Sequence, residues 1–143
     1  MSDLIIAAVP ISLVEVVWPQ IIPLFKLVED KSPEDTSQIE TKRRILEGDE
    51  LLITVSEGSK IVAFNVMAVI ATDAGIRCLY IPITGGTRMS DWAERFLSVA
   101  KTIAKEHNCT QLRGLACRDG WLKYLKKFGW SEVFTTIKCD IEG

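Results

Sequence analysis

Histidine and tyrosine are scarce in this chain of 143 residues, which holds one histidine, His107, and two tyrosines, Tyr80 and Tyr124. The four cysteines, at 78, 109, 117 and 139, include no Cys-x-x-Cys pair. With one histidine beside them no ordinary zinc spacing exists, and no nucleophilic triad can be assembled. Cysteines in apolar, strand-like contexts read as reduced core thiols, which suits the cytoplasm. A basic excess is missing too: 17 Lys and Arg stand against 19 Asp and Glu, a net charge of -2, which argues against a general nucleic-acid binder. The longest apolar stretch, Ile61–Ala71, is interrupted by Asn65, well short of the roughly twenty residues of a membrane span. The apolar N-terminal part has Asp3 as its first charge and prolines at 10, 19 and 23, so neither a secretory signal nor a membrane partner is expected.

What is present is an ordinary globular balance, 48% apolar and 25% charged. A chain of this size buries about two thirds of its unfolded surface and folds without a staple. The mean hydropathy of +0.18 points to unusually apolar strands or a sticky interface. Repeats, low-complexity segments and linkers are absent, so residues 1–143 read as one domain.

Leu4–Val9 reads as a short edge strand ended by Pro10. Ser12 and Glu15 form a capping box before a helical stripe of Val14, Val17, Trp18, Ile21, Ile22, Phe25 and Val28. Pro19 and Pro23 are expected to kink that helix or split it near Trp18. A second helix runs from Ser37 to Leu46, with Ile39, Ile45 and Leu46 apolar, and ends at Gly48. The period then changes. Strands are expected over Glu50–Ser56, Lys60–Thr72 and Ile76–Thr84, joined by turns at Glu57-Gly58-Ser59 and Asp73-Ala74-Gly75 and closed by Gly85-Gly86. From Met89 or Ser90 to Glu106 the spacing is helical again, with Trp92, Phe96, Val99, Ala100 and Ile103 facing inward and Asn108 as C-cap. Thr110–Cys117 reads as a strand, Trp121–Phe128 as a short helix closed by Gly129, and Trp130–Ile141 as a last strand. A meander followed by helix, strand, helix and strand implies an α/β (α+β) fold: a mixed, mostly antiparallel sheet with helices on both faces.

Three features have two readings. Trp18, Trp92, Trp121 and Trp130 fall at element junctions, either as core anchors or as an aromatic contact surface. Lys123, Lys126 and Lys127 form either a solvated face or a contact for phosphate or an acidic protein. Gly85-Gly86 is a turn or a phosphate-cradling loop.

His107-Asn108-Cys109 leads into Thr110–Cys117, and Arg118-Asp119-Gly120-Trp121 opens a helix that ends in Phe128-Gly129-Trp130. These segments and the element order resemble the Gcn5-related N-acetyltransferase fold over essentially the whole chain. The Gly-Trp opening also resembles small acetyltransferase-like proteins encoded by bacteriophages. The resemblance implies acetyl-CoA as cofactor, no metal, and transfer of an acyl group to an amine acceptor. The cofactor's pyrophosphate would sit on the central helix N-terminus, where free N–H groups and the helix dipole hold anions. In the matching window, Arg88-Met89-Ser90-Asp91-Trp92-Ala93, Arg88 and Ala93 fit the family pattern, while Asp91 stands where its first glycine belongs. Gly85 and Gly86 would then be a displaced phosphate loop, and Arg118 a further phosphate contact or an exposed cation.

The family's general-acid tyrosine aligns with Leu125. Tyr124 is adjacent, but one residue turns a side chain by about 100° on a helix. Glu50 and Glu57 flank the first meander strand, where relatives carry a base, and otherwise read as solvated strand ends. His107 lies at the far end of the central helix and reads as a dipole partner there. Two functions follow. One is an acyl-CoA-dependent N-acyltransferase. The other is a non-catalytic binding or particle-structural protein with a protein partner, phage-borne and resident in the host cytoplasm or the virion.

Overall fold

The computed structural model describes residues 3–115 and 119–141 of the chain, so Cys117 and Arg118 lie outside the described residues. Strand β1 (Leu4–Ala8) leads through a 3-10 turn at Ile11–Leu13 into helices α1 (Val14–Lys31) and α2 (Gln38–Leu46). Strands β2 (Leu51–Glu57), β3 (Lys60–Ala71) and β4 (Arg77–Gly86) follow, then α3 (Met89–Glu106), β5 (Gln111–Gly114) and α4 (Asp119–Lys126). The sheet order is β1-β2-β3-β4-β5. The first three neighbouring pairs are antiparallel. β4 and β5 are parallel, because α3 carries the chain back between them. This is the mixed, mostly antiparallel sheet expected.

Each face of the sheet has its own core. On one side Val14, Trp18, Ile21 and Phe25 of α1 and Ile45 of α2 meet Leu52, Phe64, Val66 and Ile83. On the other, Trp92, Phe96 and Ala100 of α3 and Trp121 and Leu125 of α4 meet Ile53, Met67, Leu79 and Ile81. β3 lies between both layers, and every residue from Ile61 to Met67 is buried. That double cover is why β3 reads as a continuous apolar run. Trp18, Trp92 and Trp121 are core anchors, and Trp130 is half-buried.

β4 carries a bulge. Val66 opposes Ile83 and Ala68 opposes Tyr80, so Ile81 and Pro82 together face Met67. The extra residue reverses the strand's alternation. Leu79 and Ile81 belong to the core under α3, and Ile83 to the core under α1.

Several local expectations differ from the structure. α1 runs unbroken through Pro19 and Pro23. Both prolines lie on the exposed side, so the carbonyls of Glu15 and Pro19 that lose their helical donors face water, and the buried stripe opposite holds the helix together. Ser12 does not cap it: the serine is taken into the 3-10 turn, and Leu13 is the N-cap without a side-chain bond. In α2 the Ser37 hydroxyl does accept from the Glu40 amide at 3.3 Å. There Ile39 is 69% exposed, and the inward face is Thr41 and Ile45, one turn apart.

Gly85 and Gly86 are the last residues of β4 rather than a turn after it. β5 ends at Gly114. Trp130–Ile141 joins no strand ladder. Lys138 holds it to Glu34, between α1 and α2, at 2.7 Å. The stretch Ile11–Lys31, mean hydropathy 1.6, is long and apolar enough to span a bilayer by composition, which the sequence reading did not anticipate. In the fold its buried stripe packs on the sheet as a core helix.

Candidate functional site

A cavity of about 620 Å³ lies along the C-terminal half of β4, bordered by the end of α1 and by α2 and by the starts of α3 and α4. Gly85, Gly86 and Met89 border it near the start of α3, Trp92 and Trp121 supply apolar wall, and Arg44 and Glu50 supply charge. The Glu50 side chain is only 10% exposed, and its Oε1 accepts from Arg44 Nε at 2.9 Å. Beneath the cavity-lining Thr84 sits Asn65, fully buried, whose Oδ1 accepts from the Thr84 hydroxyl at 2.8 Å. The Asn65 Nδ2 has no partner among the described residues, an unusual state for a buried amide.

The start of α3 is pinned by backbone geometry. Thr87 donates its amide to Val62 O at 2.9 Å, and the Trp92 indole donates to Thr87 O at 2.9 Å. Arg88 turns the chain in the left-handed region, φ +60°, costly for a residue with a Cβ. The helix begins with no side-chain cap. Arg88 Nε donates to Asp91 Oδ2 at 3.1 Å and its Nη1 to Glu57 Oε2 at 3.1 Å. These bonds, Glu57 first and Asp91 second, raise the guanidinium pKa above its already high ordinary value. Two carboxylates against one guanidinium leave this cluster at a net charge of -1.

The glycines before it have steric reasons of their own. A Cβ on Gly86, φ +117°, would stand 2.4 Å from the Ala63 Cα. One on Gly85 would meet the Phe64 ring at 2.7 Å and Val28 at 2.8 Å. Both glycines let β3 and β4 approach and also border the cavity. Ala93 is fully buried in the core under α3.

Tyr124 stacks on Trp121 at 5.8 Å and tilts against Phe128 at 5.0 Å. Of that helix's described residues Trp121 lines the cavity and Tyr124 does not. Leu125 is buried. His107 is exposed at the end of α3, where its carbonyl accepts from Arg77. Lys123, Lys126 and Lys127 are exposed, and Lys126 pairs with Glu132 at 3.2 Å. The fold therefore brings Glu50, Gly85 and Gly86 to the cavity, sets Arg88 into an ion cluster at its rim, and leaves Tyr124 in an aromatic stack. Arg44, Thr84 and Asn65 were not anticipated. Asn65 was legible as the one polar residue inside the apolar run.

No family model and no curated protein sequence matches the chain. Solved structures do. A ribosomal-protein-alanine N-acetyltransferase from Brucella melitensis biovar Abortus 2308 superposes with TM-score 0.73 at 12% identity, over 98% of this chain and 100% of that one. An aminoglycoside acetyltransferase from an uncultured soil metagenomic sample, in complex with trehalose, gives 0.73 at 14%, over 97% of each chain. A predicted acetyltransferase from Clostridium acetobutylicum, solved with acetyl-CoA, gives 0.67 at 16%, over 96% of each. The chain has the Gcn5-related N-acetyltransferase fold.

That fold implies an acyl-CoA, whose diphosphate needs free amides and positive charge at the start of α3. The residues here do not meet that need. Asp91 places a carboxylate in the first turn, and Arg88 is committed to two carboxylates.

Proposed function

We propose that this chain is a non-catalytic binding protein on the acetyltransferase fold, which keeps the central cavity and has exchanged the diphosphate cradle for an internal ion cluster. The observation that carries this reading is the Glu57–Arg88–Asp91 arrangement. Its net negative charge repels a diphosphate, and the helix N-terminus already has its anion in Asp91. The cavity walls of Trp92 and Trp121 with the Arg44–Glu50 pair suit a small, partly apolar ligand carrying one polar end. The free thiols of Cys78, Cys109 and Cys139 support a reducing, cytoplasmic setting. The Gly120-Trp121 opening of α4 supports a bacteriophage source, with the host cytoplasm or the particle as its place and a protein as a further partner.

Calorimetric titration of the wild-type chain with acetyl-CoA tests this. The expected result is no saturable binding below about 1 mM. Micromolar binding, or release of CoA thiol in the presence of an amine, overturns it.

The second reading is an acyl-CoA-dependent N-acyltransferase. It is favoured by Glu50, a nearly buried carboxylate in the cavity beside Arg44, where it would orient an acceptor amine and take its proton.

A further inference from the structure

The net charge of -2 is unevenly spread. A groove of about 480 Å³ lies between the last turns of α3, the outer side of β5 and residues of the 128–133 stretch, and it shares no lining residue with the central cavity. Lys101, Lys105 and Arg113 line it, and among the described residues no Asp or Glu does. Lys101 and Lys105 are exposed one helical turn apart on α3, and their ammonium groups have no partner among the described residues. Arg113 is half-buried, and its Nε donates to the neutral Gln111 side chain at 3.1 Å. The nearby Glu132 is already held by Lys126. The carbonyl end of α3 is the negative pole of its dipole, and it is met by Arg77, whose Nη2 donates to His107 O at 2.8 Å. The opposite wall is aromatic. Phe128 is 42% exposed and tilts against Tyr124 at 5.0 Å, and Trp130 beside it is half-buried. β5 pairs with β4 alone among the described residues, so backbone N–H groups of its outer edge also open on the groove.

We infer that this groove binds single-stranded nucleic acid, with backbone phosphates on Lys101, Lys105 and Arg113 and bases against Phe128 and Trp130. A site of that kind needs positive charge that follows a phosphate backbone and ring faces on which bases stack, and both line the one groove. An acidic peptide would neutralise the cations but brings no flat group to the two rings. A duplex keeps its bases stacked on one another, whereas a single strand can turn them out onto aromatic side chains. The charge of the whole chain is consistent with a local site. Three cations give weak, salt-sensitive binding, and the chain lacks the basic excess of a general nucleic-acid binder.

Fluorescence anisotropy of a labelled oligothymidine strand, titrated with the full chain, tests this. At about 50 mM salt the dissociation constant is expected to lie at about 1–100 μM, and between about 50 and 200 mM salt the logarithm of the association constant is expected to fall with a slope of about -2, the value for three phosphate contacts on a single strand. Lys101→Gln with Lys105→Gln alters exposed side chains only, so circular dichroism stays unchanged while binding weakens more than ten-fold and the slope shrinks to about -0.7. Phe128→Leu keeps an apolar side chain and removes the ring face, and is expected to weaken binding at least five-fold with the slope unchanged. Each of four results overturns the inference: no saturable binding below about 0.1 mM at the lower salt, a duplex of the same length bound as tightly, Phe128→Leu binding as the wild type does, or oligoaspartate displacing the strand as well as unlabelled oligothymidine does, which would assign the groove to an acidic peptide.

Discussion

Arg88 and Asp91 are joined at 3.1 Å across the first turn of α3, and the same guanidinium holds Glu57 from the end of β2 at 3.1 Å. A helix start that binds phosphate elsewhere is here closed on itself. Asp91→Gly removes one like charge and frees backbone space. Against a wild type that does not saturate below about 1 mM, calorimetry is expected to show Asp91→Gly binding acetyl-CoA with a dissociation constant down to about 0.1 mM, the ten-fold effect of one partly screened charge several ångströms away. Adding Arg88→Ala is expected to abolish that gain. No measurable binding in Asp91→Gly either would mean that this carboxylate is not what keeps the diphosphate away.

Phe96 is fully buried under the sheet and meets Trp92 edge-on at 5.9 Å. Phe96→Ala is expected to cost about 3–5 kcal/mol in urea unfolding. A loss below about 1 kcal/mol would place Phe96 outside the core.

Gly86 and Gly58 both have positive φ, +117° and +60°, but only Gly86 is crowded. Gly58→Ala meets open space and is expected to cost about 1–2 kcal/mol, the price of a left-handed alanine. Gly86→Ala adds a clash with the Ala63 backbone and is expected to cost clearly more, read as a lower midpoint in thermal unfolding. Equal costs would show that β3 can move aside.

Asn65, fully buried, and Thr84, half-buried at the cavity wall, share one hydrogen bond. Asn65→Val removes that bond and is expected to lose about 1 kcal/mol. The double change with Thr84→Val removes both polar groups and is expected to return to near wild-type stability. If the double variant is weaker than the single one, the pair supports the cavity rather than burdening the core.

The elements whose period is set by burial were legible in the sequence. β3 reads correctly because both faces are covered, and α3 because Trp92, Phe96 and Ala100 form one inward stripe. The misreadings arise where local rules meet tertiary packing. Prolines break helices in isolation, yet Pro19 and Pro23 face water while Trp18, Ile21 and Phe25 hold α1 to the sheet. Alternation over Val133–Cys139 reads as a strand, but a strand needs an edge, and sequence period says nothing about which edge is free. At the site, Glu50 and Gly85-Gly86 could be flagged from their positions beside strands. The Arg44–Glu50 pair could not, because it joins the end of α2 to the chain just before β2. Nor could the Glu57–Arg88 pair, which joins residues 31 apart in sequence.

The extra residue in β4 at Ile81–Pro82 has a consequence for how this gene can change. Upstream of it, odd-numbered positions supply the core under α3, and downstream they supply the core under α1. Deleting one of these two residues would leave Val66 opposite Ile83 and Ala68 opposite Tyr80, so the bulge would close and both cores would keep their residues. Deleting a residue elsewhere in β4 would instead shift the residues on one side of it by one place and exchange their faces. The length of this strand is therefore free to change at the Ile81–Pro82 pair and held fixed on either side of it.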